Sequence, residues 1–361
     1  MVTHVLEGKP VLVTGGAGFI GSQLVSDLMA VGADVVVIDN ESRGSKANLE
    51  DVGFDIRVNK NYFNVDLRDP DSQKYFEGFH TVYHLAADVG GIAYALSKGV
   101  QIWKNNTLID ANVFDAVLDY KVPNLVYASS SCVYPLRLSS PRRGLKESQA
   151  WQGEMHTLYG AQKLLGEKAI QMHMQGLSTT NTAIVRFHNV YGPRSIMKGR
   201  NAQVIQALIS RALNHPERDL EVWGSGRQGR DFIHVADITH WLVNLWLPGT
   251  NQFCTEPLQR GSGVNTSIGE VARHILNLLE LDTQINYIPV PDEGERGRKA
   301  NNDKFNSLYS HLPKALSIRE GLRQYIDWAL EHESWWREET AMPAYSRASR
   351  ELSPMLSKTA S

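Results

Sequence analysis

Val11 to Ser22 reads VLVTGGAGFIGS. Its first residues, Val11–Val13, are apolar and mostly β-branched, which is typical of a strand buried in a parallel sheet. Glycines follow at every third position, Gly15, Gly18 and Gly21, where an apolar helical pattern begins. A strand that turns on glycine into a helix presents backbone N–H groups at the positive end of the helix dipole, where a pyrophosphate binds. The stretch predicts a dinucleotide-binding turn with G-x-x-G-x-x-G spacing, although an ordinary strand–helix turn can carry the same glycines.

The next apolar run ends in a carboxylate. Val35–Ile38 is rich in β-branched residues and Asp39 follows it directly. An acidic residue at this place hydrogen-bonds the ribose 2′-hydroxyl of NAD and repels the 2′-phosphate of NADP. The sequence therefore favours NAD, while Arg43 is a nearby cation that would suit NADP. The alternative for Asp39 is an aspartate that only caps a turn.

The composition is that of a soluble protein with a sizeable core. The chain has 361 residues, 42% of them hydrophobic and 21% charged, with a net charge of −2. No basic stripe points to nucleic acid, and no apolar run forms a membrane span or a signal peptide. The two cysteines, Cys132 and Cys254, favour a reducing, cytoplasmic location. We expect no metal site, no nucleic-acid partner and no membrane association.

Alternating patterns in the first half predict the fold class. Strand-like runs at 11–13, 35–38, 81–85, 125–129 and 183–187 are separated by amphipathic helical stretches. Such alternation predicts an α/β fold with a doubly wound parallel Rossmann sheet and a smaller C-terminal substrate-binding lobe. Helices are also predicted near 105–121, 202–214, 237–247, 267–281 and 318–332. We expect an NAD-binding domain over 1–190 with a returning segment near 232–262, a lobe over 191–231 and 263–336, and a loosely ordered tail over 337–361.

Polar groups suited to proton transfer follow the predicted strands. Serines close the strand before Cys132, and Tyr159 and Lys163 are four residues apart, hence on one helix face. A phenol beside an ammonium group has a lowered pKa, so Tyr159 is a candidate base near neutral pH, with a serine hydroxyl sharing its proton. The carboxyl edge of an open α/β sheet is where such folds bind ligands.

Taken together, these residues resemble the extended short-chain dehydrogenases/reductases, the NAD-dependent nucleotide-sugar epimerase/dehydratase family. The resemblance covers roughly residues 10 to 330. It implies a catalytic set of Ser130, Cys132, Tyr159 and Lys163. It implies that NAD lies along Gly15, Gly18, Phe19, Ile20, Gly21, Asp39, Asn40, Asp66, Leu67, Leu85, Ala86, Ala87, Asn106, Tyr159 and Lys163. It implies that a nucleotide-diphosphate sugar contacts Gly90, Gly91, Ser130, Ser131, Asn189, Lys198, Gln203, Val222, Trp223, Arg230 and Arg298, and that two subunits form a homodimer.

Within this family the sequence is most similar to the GDP-mannose 3,5-epimerases and then to the GDP-fucose synthases. Four segments carry the similarity: ADVGG at 87–91, SSCVYP at 130–135, FHNVYGP at 187–193 and EGERGR at 293–298. In these branches the cysteine is an acid/base beside a transient C4 ketone, which acidifies the hydrogens on C3 and C5. Dehydratases of the family have an Asp-Glu pair where this chain has Ser131 and Cys132. A buried structural cysteine is the alternative for Cys132, as a solvated loop residue is for Asp66.

One position departs from the pattern. The second acid/base group of these branches, a lysine or a histidine, aligns with Gln203, and glutamine does not exchange protons at neutral pH. Lys198 is a nearby candidate to replace it. We therefore interpret the chain as a nucleotide-sugar epimerase that acts through a 4-keto sugar. The alternatives are a simple 4-epimerase, a 4-ketosugar epimerase/reductase and a non-catalytic nucleotide sensor.

Overall fold

The structure is a computed structural model, and it describes residues 4–58, 61–174, 179–199, 202–245, 256–290 and 297–337. The strands are β1 (Pro10–Thr14), β2 (Asp34–Asp39), β3 (Tyr62–Asn64), β4 (Thr81–His84), β5 (Asn124–Ser130), β6 (Asn181–Phe187), β7 (Asn189–Tyr191), β8 (Leu220–Trp223), β9 (Gly229–Arg230), β10 (Phe232–His234), β11 (Leu258–Arg260), β12 (Thr266–Ser267) and β13 (Ile285–Ile288). The helices are α1 (Phe19–Ala30), α2 (Lys46–Asp51), α3 (Ile92–Ser97), α4 (Gly99–Asp119), α5 (Leu158–Ala169), α6 (Val204–Asn214), α7 (Val235–Val243), α8 (Ile268–Leu278), α9 (Asp303–Leu308) and α10 (Ile318–Glu331).

A seven-stranded sheet forms the centre of the fold, in the order β11-β6-β5-β4-β1-β2-β3. Every pair in it is parallel. The strand order reverses between β1 and β4, which places a crevice at the carboxyl ends of those two strands. The predicted doubly wound parallel sheet is confirmed.

Both faces of this sheet are covered, as the apolar strands require. In β1, Val11 and Val13 pack into one core with α1 and α7, whereas Leu12 packs into the opposite core with α4. Side chains alternate across a strand, so each layer of helices receives every second residue. This double burial explains why the strands read as continuous apolar runs.

A second core lies in the C-terminal part of the chain. It is built from the apolar faces of α6, α8 and α10, with β8 paired to β13 beside them. The chain passes between the two parts more than once, because β7 pairs with β10 and β9 pairs with β12. Strand β11 then returns to the large sheet, next to β6.

The predicted strands are all present, but one helix begins earlier than expected. Asn105 was expected near the start of a helix, whereas α4 begins at Gly99. Asn105 and Asn106 lie inside the helix because their side chains bond Asp88 instead of capping a helix end. In the residues described, no helix is long and apolar enough to cross a membrane. The predicted tail lies outside the described residues apart from Arg337.

Candidate active site

The glycine turn after β1 brings three backbone segments together. Gly15 has φ +71°, and a β-carbon on it would lie 2.8 Å from the amide nitrogen of Ala86. A β-carbon on Gly21 would overlap the carbonyl oxygen of Gly15. Helix α1 begins after Gly18, which offers no side-chain cap to its first N–H groups. The Ser22 N–H is the first of the helix to bond within it, to the Gly18 carbonyl, so the N–H groups of Phe19 to Gly21 suit a pyrophosphate.

Asp39 is held at the end of β2 by the backbone around it. Its carboxylate accepts hydrogen bonds from the N–H groups of Ala17 (3.0 Å) and Glu41 (2.8 Å). Burial raises the pKa of Asp39, and these two hydrogen bonds oppose that change. The guanidinium of Arg43 lies 5.4 Å from the centre of the Tyr94 ring. A fixed carboxylate at this place suits a free ribose hydroxyl and disfavours a 2′-phosphate.

Two expected cofactor contacts are already engaged with the protein. Asp66 pairs with the Arg68 guanidinium, whose Nε donates to the Asp66 carboxylate at 2.9 Å. This pairing lowers the pKa of Asp66 to about 2. The side chain of Asn106 accepts from the Asp88 N–H at 2.6 Å and donates to the Asp88 carbonyl at 3.0 Å. Asn106 therefore fixes the loop that follows β4, where Leu85, Ala86 and Ala87 lie. Asn40 and Leu67 stand at the neighbouring strand ends, and the Asn40 side chain accepts from Ser42 at 3.1 Å.

Ser130, Cys132 and Tyr159 meet where β5 ends. The Ser130 hydroxyl accepts from the Cys132 N–H at 3.1 Å and also bonds the Tyr159 side chain. Gly160 packs against the backbone of Cys132, so α5 approaches this turn without an intervening side chain. Thr157 caps α5 by accepting from the Gly160 N–H at 3.1 Å. Three groups able to exchange protons are thereby held at one point of the sheet edge.

The protonation of Tyr159 differs from the sequence prediction. Burial raises the pKa of Tyr159, the nearby Cys132 adds to that increase, and the Ser130 hydrogen bond opposes it. The Lys163 ammonium lies 4.5 Å from the centre of the Tyr127 ring. The expectation that Lys163 lowers the pKa of Tyr159 is therefore wrong for the chain without cofactor, because the ammonium faces Tyr127 and the acidic groups behind it.

Sequence reasoning missed two buried acids near Lys163. Asp110 lies on α4 among the buried residues of that helix, and Glu167 lies one turn after Lys163 on α5. Glu167 forms a paired salt bridge with Arg186, with bonds of 2.8 and 2.6 Å. The available signal was the position of Asp110 on the apolar stripe of its helix, where an unpaired charge is rarely tolerated.

Arg298 is bonded to the backbone around Cys132. It was expected to bind the nucleotide diphosphate, but its guanidinium donates to the carbonyls of Ser131 (3.1 Å) and Tyr134 (3.5 Å). Only 6% of the residue is exposed. Arg298 therefore holds the turn around Cys132 from inside the protein.

The remaining expected substrate contacts are spread over both parts of the fold. Lys198 is exposed and donates to the Ser334 carbonyl at 2.8 Å, and Gln203 is the exposed N-cap residue of α6. Val222 is 1% exposed and its side chain belongs to the second core, so it does not face a substrate. Gly90, Gly91, Asn189, Trp223 and Arg230 lie on loops or strand ends and are partly exposed. The segment 291–296, including most of EGERGR, and Cys254 lie outside the described residues. Among those described, no cluster of three metal-ligating side chains occurs.

Comparison with known proteins agrees with this geometry. The model of the NAD dependent epimerase/dehydratase family matches residues 11–245. GDP-mannose 3,5-epimerase of Arabidopsis thaliana is 32% identical over 328 residues, which are 90% of this chain and 83% of that protein.

Solved structures of epimerases have a similar fold. An epimerase from Methanothermobacter thermautotrophicus superposes with a TM-score of 0.81 at 28% identity, covering 92% of this chain and 96% of the other. A Thermus thermophilus UDP-glucose 4-epimerase in complex with NAD superposes with a TM-score of 0.74 at 26% identity, covering 90% and 99%.

Proposed function

The chain belongs to the NAD-dependent epimerase/dehydratase family, and from that premise we propose that it is a nucleotide-sugar epimerase acting through a transient 4-keto sugar. Its cofactor is NAD. The observation that carries the proposal is the meeting of Ser130, Cys132 and Tyr159 at the end of β5. A hydroxyl, a thiol and a phenol at one point suit proton exchange at two neighbouring sugar carbons.

The first step is the removal of a proton from the sugar C4 hydroxyl. NAD, held at the glycine turn, would supply the acceptor for the hydride of C4. Tyr159 Oη takes the hydroxyl proton as its phenolate, the form that the positive charge of a bound nicotinamide would favour, and Ser130 Oγ, already bonded to the Tyr159 side chain, shares it. Lys163 lies four residues after Tyr159 on the same face of α5, with its ammonium over the Tyr127 ring. The resulting C4 ketone acidifies the hydrogens on C3 and C5.

Cys132 provides the group that acts on those carbons. Its Sγ takes a proton from the carbon next to the ketone, and a proton returns before the hydride does. Cys132 is partly exposed and is bracketed by Ser130 and Gly160. The Ser131–Cys132 pair also lacks the acid that dehydratases of the family use to expel a hydroxyl, which argues against dehydration.

We further propose that inversion at one centre dominates. A two-centre epimerase needs a second proton donor on the opposite face of the sugar. Gln203 cannot supply one, and Lys198 is directed to Ser334. The same observation supports the alternative of a simple 4-epimerase, the activity named for the Thermus thermophilus structure. A 4-ketosugar reductase of the GDP-fucose synthase type is less well supported, because Asp39 disfavours a 2′-phosphate.

One experiment separates these reactions. The protein is incubated with a panel of nucleotide sugars, GDP-mannose among them, in deuterated water, and each recovered sugar is analysed by NMR. We expect deuterium at C3 or C5. The Cys132→Ala variant should lose this label but still form the ketone, and Cys132→Ser should keep part of it. A product inverted only at C4, without deuterium at C3 or C5, would contradict the role of Cys132 and support a simple 4-epimerase.

We also propose that two copies of the chain form a homodimer in the cytoplasm. Leu158, Leu165 and Met172 follow each other at seven-residue spacing, and Met172 is 79% exposed. Val100 and Trp103 are exposed on the neighbouring helix α4. A stripe of apolar side chains on adjacent helices suits burial against a second copy. Sedimentation should show a dimer, and the Leu165→Glu substitution should dissociate it. A reducing cytoplasm would keep Cys132 as a free thiol.

A further inference from the structure

A buried carboxylate lies behind the catalytic face of α5. Asp110 is 4% exposed. One of its oxygens accepts from Tyr127 Oη at 2.6 Å and Gln162 Nε2 at 2.7 Å, and the other faces His84 Nε2 at 3.1 Å. A β-carbon on Gly166 would lie 2.8 Å from the carboxylate, so a glycine on α5 leaves room for it. Three donors on one carboxylate stabilise its ionised form.

The histidine in this cluster does not neutralise Asp110. Thr14 Oγ1 accepts from the Ala86 N–H at 3.3 Å and lies 2.8 Å from His84 Nδ1. Because an ionised carboxylate only accepts hydrogen bonds, His84 Nε2 carries the proton that is donated to Asp110. Burial lowers the pKa of His84, so the ring is neutral, and the negative charge on Asp110 needs another counter-charge.

Lys163 is the cation that faces this charge. Its ammonium lies over the Tyr127 ring, and the residue is 2% exposed. The groups around it are Asp110 from α4, Glu167 from α5, His84 from β4 and Tyr127 from β5. Glu167 is paired with Arg186, so its charge is already compensated. The uncompensated anion beside Lys163 is therefore Asp110.

We propose that Asp110 is a positioning residue of the active site, whose carboxylate keeps the buried Lys163 charged and its ammonium fixed over Tyr127, one helical turn after Tyr159. The chain of contacts then continues through His84 and Thr14 to Ala86, so one buried network joins the dinucleotide turn to the proton-transfer groups. This inference rests on the proposed function in one respect, the role of Tyr159 and Lys163 in turnover. The charge relation itself holds without any substrate.

The charge relation is tested without sugar or activity. Lysine labelled with 13C at Cε is incorporated, the Lys163 signal is assigned by its loss in Lys163→Arg, and its pKa is measured by NMR titration. Burial without a counter-charge disfavours the ammonium form, so Asp110→Asn should lower the pKa of Lys163 by about one unit or more. Tyr127→Phe is the matched control, since it removes a hydrogen bond from Asp110 but no charge. An unchanged Lys163 pKa in Asp110→Asn overturns the proposal.

Two further measurements separate positioning from folding. Lys163 is charged below its pKa, so Asp110→Asn should move the alkaline limb of the kcat profile to lower pH, with KM nearly unchanged. A uniform loss of kcat at every pH contradicts the proposal. If Asp110→Asn is unstable, adding Lys163→Met should raise its urea midpoint, because the uncompensated charge is removed. An absence of coupling between the two substitutions also overturns it. Failure to find any sugar substrate would count against the proposed function alone.

Discussion

Gly160 lies against the carbonyl oxygen of Cys132 so closely that no β-carbon fits between them. Helix α5 and the turn after β5 therefore meet backbone to backbone. This contact sets the distance between Tyr159, carried by the helix, and Ser130, carried by the strand. A hydroxyl pair that must share a proton depends on that distance, since catalytic hydrogen bonds span about 2.6–3.2 Å.

Gly160→Ala should lower kcat at least about tenfold, because small displacements of catalytic groups are costly. Alanine favours helix over glycine by about 1 kcal/mol, so a weaker helix would not explain the loss. NAD binding should be retained. The matched control is Gly99→Ala, where the nearest atom to the new β-carbon lies at 3.4 Å. Normal turnover by Gly160→Ala would show that the close approach is dispensable.

Tyr159→Phe should abolish turnover while the protein still binds NAD, because the phenol is the group that takes the C4 hydroxyl proton. Burial raises the pKa of Tyr159, so without cofactor the phenol stays protonated at neutral pH and ionises only in alkaline solution. The difference in phenolate absorbance between wild type and Tyr159→Phe measures this ionisation. Near-normal turnover by Tyr159→Phe would contradict the role of the phenol, whereas a Tyr159 phenolate near neutral pH in the free protein would contradict the raised pKa.

Asp39 should give the protein a preference for NAD over NADP of at least about tenfold, or about 1.4 kcal/mol. The two backbone N–H groups that hold its carboxylate keep the charge where a 2′-phosphate would have to lie. Asp39→Asn should reduce the preference, chiefly by improving NADP binding. Isothermal titration of both nucleotides measures it, and a wild-type preference for NADP would refute the role of Asp39.

Gln203→Lys should increase inversion at the second carbon. The residue is the exposed N-cap of α6, with no side-chain hydrogen bond to the helix, so the substitution breaks no such contact. Lysine adds a group that can donate a proton to the face opposite Cys132. NMR analysis of the products resolves the two carbons. Lys198→Gln is the comparison: it should leave the product ratio unchanged, since its ammonium is bound to Ser334.

Asp51→Ala should destabilise the fold by about 3 kcal/mol, the scale for breaking a buried ion pair. Asp51 accepts hydrogen bonds from Arg194 (2.8 Å), His332 (2.7 Å) and Trp328 (3.2 Å). All three residues come after β1–β6 in the sequence. Urea unfolding measures the loss. Arg57→Ala breaks the exposed pair with Asp55 and should cost less than about 1 kcal/mol. Equal effects of the two substitutions would contradict the difference in burial.

The strands and the glycine turn were predictable because apolar runs and glycine spacing are local properties of the sequence. The pairing of Ser130 with Tyr159 was expected from the family resemblance. The position of Arg298 and the buried surroundings of Lys163 were not predictable in this way. Each depends on contacts between residues far apart in the chain, such as Arg298 with Ser131 and Asp110 with Gln162.

Strand β11 completes the sheet beside β6, although Leu258–Arg260 is made after much of the second core's sequence. A ribosome releases the chain from its N-terminus, so β6 remains an open edge until β11 has left the exit tunnel. Helix α7, which covers α1, is also late. Open edges and bare apolar faces pair with other chains. A nascent chain that stalls before β11 would thus have the complete glycine turn but an incomplete sheet. Such truncated chains would bind chaperones or aggregate.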